Sequence, residues 1–218
     1  GRIVDVEGRP VPGVAVRIQE LTRPKGDNLD AWLAAVKKGE PPWVAYGHFV
    51  NEEIKVDQDR IAATTDADGR FRLEGLGGER VVELRFQGNS IVFMAYTVVT
   101  RAMRPLPAKG FVNEYGSGTR TIYGADFTLT ATPSRPIVGT LKDARTGEPL
   151  ADAEVRSDRF SGSTFVGMGS LRSRSDSKGR CRLMGMPKGK ENQILVVPND
   201  EQPCFLHTAK VPDAPGMT

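Results

Sequence analysis

Acid–base chemistry near neutral pH would have to come from two imidazoles, His48 and His207. Neither stands in a nucleophile or metal motif. The chain has no His-Glu-x-x-His, no Cys-x-x-Cys, no Gly-x-Ser-x-Gly and no phosphate-binding glycine loop. A reaction centre needs a base, nucleophile or metal converging with a group that orients it. The residue pattern therefore predicts no catalytic residues, no metal and no cofactor: the protein is expected not to be an enzyme. Asp66-x-Asp68-Gly69 has the oxygen-rich look of a calcium loop. A second stretch, Asp176-Ser177-Lys178-Gly179, puts an ammonium where a ligand would be needed, so both read as turns.

Binding chemistry is better represented. Trp32, Trp43, Tyr46 and His48 fall close together, and Tyr115 sits beside Gly116 and Gly118. Aromatic rings with a polar tip suit a carbohydrate or peptide platform, since the ring stacks on an apolar face while the N–H or O–H bonds. The competing reading is that the rings pack and close an open sheet end. Cys181 and Cys204 are the two cysteines. Cys181 occupies an alternating apolar position, which suits a buried thiol; a disulfide to Cys204 is the alternative in an exported protein.

The elements that must position these groups occur twice. Thr65-Asp66-Ala67-Asp68-Gly69-Arg70-Phe71-Arg72-Leu73-Glu74-Gly75-Leu76 returns as Ser175-Asp176-Ser177-Lys178-Gly179-Arg180-Cys181-Arg182-Leu183-Met184-Gly185-Met186. Each is preceded by a second shared block, Asp5 to Val16 and Asp143 to Val155. A duplication of this length predicts two homologous domains. Within each block apolar residues alternate with polar ones, as in Val14, Val16 and Ile18 or Phe71 and Leu73, and Asp-x-x-Gly supplies tight turns. Antiparallel β-structure with one wet face per sheet is expected.

These residues resemble a family. The pattern of Gly8, Pro10, Gly13 and Val16 followed by Thr/Ser-Asp-x-x-Gly-x-Phe-x-Leu-x-Gly-Leu looks like the carboxypeptidase regulatory-like domain, of the kind found in repeat arrays of large bacterial multidomain proteins. The resemblance covers about half of each repeat. It implies an all-β fold of two tandem Ig-like, transthyretin-like β-sandwiches, and a non-catalytic role beside other domains.

The copies differ in length. Gly8 and Asp66 are 58 positions apart whereas Gly147 and Asp176 are 29 apart, so the first copy carries an insertion at about 20–60. Leu29, Trp32, Leu33 and Val36 mark an apolar helix face there, capped by Asp27 or Asn28 and stopped by Gly39, Pro41 and Pro42. The domains are then expected at 1–132 and 136–218, the boundary lying near Pro133 and Pro136. The second is expected to lack its last strand, because 212–218 carries Pro215 and Gly216.

Thirty basic and 27 acidic residues leave a net charge of +3, with no basic stripe interleaved with aromatics, so no nucleic-acid partner is expected. No apolar run is long enough to span a bilayer. The expected function is a structural or interaction module of a larger bacterial protein, spacing or presenting a partner domain, with an extracytoplasmic or cell-envelope location favoured. The alternatives are a carbohydrate- or peptide-binding module and an accessory domain of a hydrolase.

Overall fold

The computed structural model describes residues 1–40, 45, 47–50, 56–57, 60–112, 119–160, 171–202 and 205–212. The fold is mostly β, with several open sheets and a nine-residue helix, α1 (Asp30–Lys38). Contacts divide it into two compact units. The first takes in Gly1–Gln87 and Ser117–Ala131 with the strands between 94 and 112; the second takes in Gly88–Phe93 and Thr132–Thr218. Gly88–Phe93 thus belongs by packing to the second unit although it precedes the last strands of the first.

The first unit has strands β1 (Arg2–Val4), β2 (Ala15–Thr22), β3 (Ile61–Thr64), β4 (Val81–Gln87), β5 (Met94–Val99), β6 (Leu106–Val112), β7 (Thr119–Tyr123) and β8 (Thr128–Thr130). Six form one sheet in the order β3-β2-β4-β5-β7-β6, and β8 pairs parallel with β1. Phe71 reaches Phe86 at 5.6 Å and Phe127 at 5.8 Å between ring centroids. The β1–β8 pair therefore lies on one face of the large sheet, sealing Ile3, Val14, Val16, Leu84 and Leu129.

The opposite face of that sheet departs from the expected wet surface. Leu29, Trp32, Leu33 and Val36 of the insertion pack there against Val81, Val99, Ala108 and Ile122. Val81 follows the sheet alternation yet is buried alongside Val82, because a second apolar layer covers its side. Each side chain so covered contributes about 1.5–3 kcal/mol.

The second unit has β9 (Ile137–Thr140), β10 (Glu154–Arg159), β11 (Arg172–Arg174), β12 (Arg180–Leu183), β13 (Gln193–Val197) and β14 (His207–Lys210). Its sheets are β11-β10-β13-β14 and β12-β9. Among the described residues it has no counterpart of β6, β7 or β8. In the first unit β7 and β8 are separate strands although only residues 124–127 lie between them. The chain turns at Gly124, where a Cβ would come 2.4 Å from the Met103 carbonyl oxygen; only glycine fits that approach.

Candidate interaction surfaces

The shared motif is a structural lock, the same in both units. Asp66 Oδ1 accepts the backbone N–H groups of Asp68 (2.9 Å) and Arg70 (2.8 Å). Asp176 Oδ1 accepts those of Lys178 and Arg180, both at 2.9 Å. Hydrogen bonds to the charged carboxylate, the Arg180 amide first, hold the Asp176 pKa below its ordinary value. Gly69 and Gly179 have φ of 70° and 72°, and a Cβ on either would sit 2.3 Å from the carbonyl oxygen of Ile3 or Leu141. The carboxylates are thus engaged in closing turns.

Sequence reasoning passed over the residue before each aspartate. Thr65 Oγ1 accepts the Val14 N–H (2.9 Å) and donates to the Val11 carbonyl (2.8 Å). Ser175 Oγ accepts the Ala153 N–H (3.0 Å) and donates to the Leu150 carbonyl (2.6 Å). Both are buried, so each hydroxyl joins the two halves of its repeat in a dry site. The recurrence of Thr or Ser at this point was the available signal.

Trp32 is 3% exposed and packs against Phe49 with ring centroids 5.6 Å apart. It lines a cavity of about 30 Å³ with Glu20, Thr22, Glu83, Thr97 and Arg120. A space of that size admits water and is far too small for a sugar ring, so Trp32 pins the helix to the sheet. His48 is half-buried; its carbonyl accepts the Lys25 N–H at 2.8 Å and its own N–H donates to Ala45 at 3.1 Å. Trp32 and His48 both belong to the inserted segment, while Trp43, Tyr46 and Tyr115 lie outside the described residues. Cys181 is a buried free thiol whose Sγ is 3.6 Å from the Gly139 carbonyl, and burial pushes its pKa up. Cys204 lies outside the described residues.

Asn28 supplies the expected local bond at the helix start, and a distant segment adds a second. Asn28 Oδ1 accepts the N–H of Asp30 (2.7 Å), but the Leu29 N–H goes to Glu79 Oε2 (3.0 Å) from a distant segment. Arg101 bridges Glu79 and Asp30, and its guanidinium is the main cause of the lowered pKa of both carboxylates. A long-range charge clamp thus adds to the local Asn28 bond, and no local sequence signal could have shown the clamp.

Two open surfaces stand out among the described residues. In the first unit a cleft of about 320 Å³ is lined by Phe71, Leu73, Gly75, Leu76, Val98 and Phe127, among others. In the second unit, Phe205 and Leu206 are 96% and 64% exposed at the start of β14. Among the described residues β14 is an edge strand, and exposed apolar side chains beside a sheet edge mark an interaction surface.

No protein-family model and no curated protein matches the sequence. A solved structure titled as a streptococcal ancillary pilin aligns over the whole chain and 59% of its own length, at 17% identity and a TM-score of 0.26. A likeness at that level carries no argument about this protein. No helix among the described residues is long and apolar enough to cross a membrane.

Proposed function

We propose that the chain is a non-catalytic structural and interaction module: two repeats of a carboxypeptidase regulatory-like, transthyretin-like β-sandwich that space or present a partner domain of a larger bacterial protein, at an extracytoplasmic site. One observation carries the reading. The residues with chemistry in the shared motif, Thr65 with Asp66 and Ser175 with Asp176, spend their polar atoms on the backbone of their own repeat. A duplicated motif spent on holding a scaffold supports a role in which the scaffold is the product. The sealed position of Trp32 favours the packing role of the insertion over a glycan platform.

The test is a turnover screen of the purified chain on ester, amide, glycoside and phosphoester substrates. No turnover above buffer is expected. Hydrolysis that vanishes in His48→Ala or His207→Ala would overturn the reading.

A further inference from the structure

The two repeats carry one docking device in two states. The register places Val16 opposite Phe86 and Val155 opposite Val196. On the next strands, Phe86 faces Met94 and Val196 faces His207. Val92-Phe93 and Phe205-Leu206 are therefore equivalent pairs, each leading directly into its strand. Their environments are opposite. Val92 and Phe93 are each 5% exposed. The Val92 N–H donates to the Thr132 carbonyl at 2.8 Å, and the Phe93 N–H donates to the Gly185 carbonyl at 2.7 Å. Phe205 and Leu206 are bare.

The receiving side also occurs twice. Gly185-Met186 closes the second motif as Gly75-Leu76 closes the first. Within the second unit Gly185 and Met186 are buried, and a Cβ on Gly185 would meet the Cβ of Phe93 at 3.2 Å. Gly75 is exposed with nothing within 4 Å of a Cβ, Leu76 is half-buried, and both border the 320 Å³ cleft. Leu183 is 1% exposed, while its counterpart Leu73 is only half-buried. One plug is seated in one socket; the other plug is bare and the other socket is open. Each rim carries an arginine. Arg182 donates to Asn89 Oδ1 (3.2 Å) beside the seated pair. Its counterpart Arg72 is exposed at the open cleft, paired to Glu74, and the bare plug follows the exposed acids Asp200 and Glu201.

We propose that copies of this chain associate head to tail, Phe205-Leu206 of one copy entering the Gly75-Leu76 cleft of the next. The Leu206 N–H would donate to the Gly75 carbonyl as the Phe93 N–H does to that of Gly185, and Asp200 or Glu201 would face Arg72. The proposal rests on the module reading and names its partner. Plug and socket are different surfaces, so the contact is heterologous and leaves a free end at each step, growing into a filament or closing into a ring.

Sedimentation of the full chain over a concentration series up to about 1 mM tests this. The average mass should climb past that of a dimer. Phe205→Asp/Leu206→Asp, at exposed positions, and Leu76→Arg should each weaken association at least about tenfold, the loss of about 1.4 kcal/mol. Mixed together, the two variants should form a dimer and nothing larger, since each retains one intact half. If Leu76→Arg fails to fold by circular dichroism, Arg72→Glu serves in its place with the same expected direction. A parent that stays monomeric throughout, association that both variants leave intact, or a mixture that does not pair would overturn the proposal. None of these outcomes produces turnover, so they leave the module reading standing.

Discussion

The same twelve-residue motif ends in a covered surface in the second unit and in an open one in the first. The turn chemistry is equal: Asp66 and Asp176 accept the same backbone amides, and Gly69 and Gly179 meet the same carbonyl approach. The surroundings differ. Phe93 covers Gly185, whereas nothing within the described residues covers Gly75. The lesson is that the motif encodes the turn and the strand that follows, while burial of its final Gly-Leu or Gly-Met belongs to whichever segment packs on it. An apolar residue is stabilising only where a partner excludes water from it.

The strongest way to break this comparison is to truncate both plugs. Phe93→Ala should destabilise the second unit by about 3–5 kcal/mol, the usual cost of emptying a buried aromatic site. Leu206→Ala, at the equivalent but exposed position, should stay within about 0.5 kcal/mol in dilute protein. Chemical denaturation of the two variants measures both, and equal costs would refute the assignment of seated and bare plugs. Trp32→Ala belongs with the large effects: about 3–5 kcal/mol is expected from the buried indole.

The glycines sharpen the comparison at a smaller scale. Gly69→Ala and Gly179→Ala combine a left-handed φ with a Cβ against a carbonyl oxygen and should each cost about 2–4 kcal/mol. Gly75→Ala, with a φ of 76° and open space around it, should cost only the conformational strain of about 1 kcal/mol. Thermal melts should rank them in that order. Next come the hydroxyl locks. Thr65→Val and Ser175→Ala each leave a buried N–H and carbonyl without their partner, at about 1–3 kcal/mol, and similar losses at both sites are expected if the lock is one device used twice.

The smallest effect is a pH dependence. Glu79, Asp30 and Asp176 have pKa values lowered in the folded chain. A carboxylate with a lowered folded pKa adds stability that is complete above its unfolded pKa, near 4, and fades as pH falls through the folded value. Melting temperature should therefore be flat from neutral pH to about 5 and decline below about 4. In Arg101→Met the share of that decline due to Glu79 and Asp30 should shrink, because its guanidinium is the main cause of their lowered pKa. An unchanged acid slope would remove the clamp from the account.

Much of the fold was legible. Alternation, Asp-x-x-Gly turns and the repeat itself pointed to β-structure in both halves. The i, i+3, i+4, i+7 spacing from Leu29 located α1 and its buried face within a residue or so, with Gly39 ending it at φ 75°. The expectation of a wet face on every sheet failed at Val81, Val99 and Ile122. Period-two alternation reports which side of a strand a residue occupies, but not whether an inserted segment returns to cover that side. Site residues were less legible: Trp32 had the composition of a binding group and the environment of a core residue.

What the sequence by itself determined is local and repeated: where the chain turns, which residues alternate, where one helix starts and stops, and that the same unit is written twice. These follow from φ preferences, hydrogen-bond reach and side-chain period, all set within a few residues. Only the tertiary structure decided that Glu79 caps a helix some fifty residues away, that Thr65 and Ser175 bond the first block of their own repeats, and that Phe93 is sealed while Leu206 is bare. Those outcomes depend on which distant surfaces meet and exclude water, and no short-range rule of sequence carries that information.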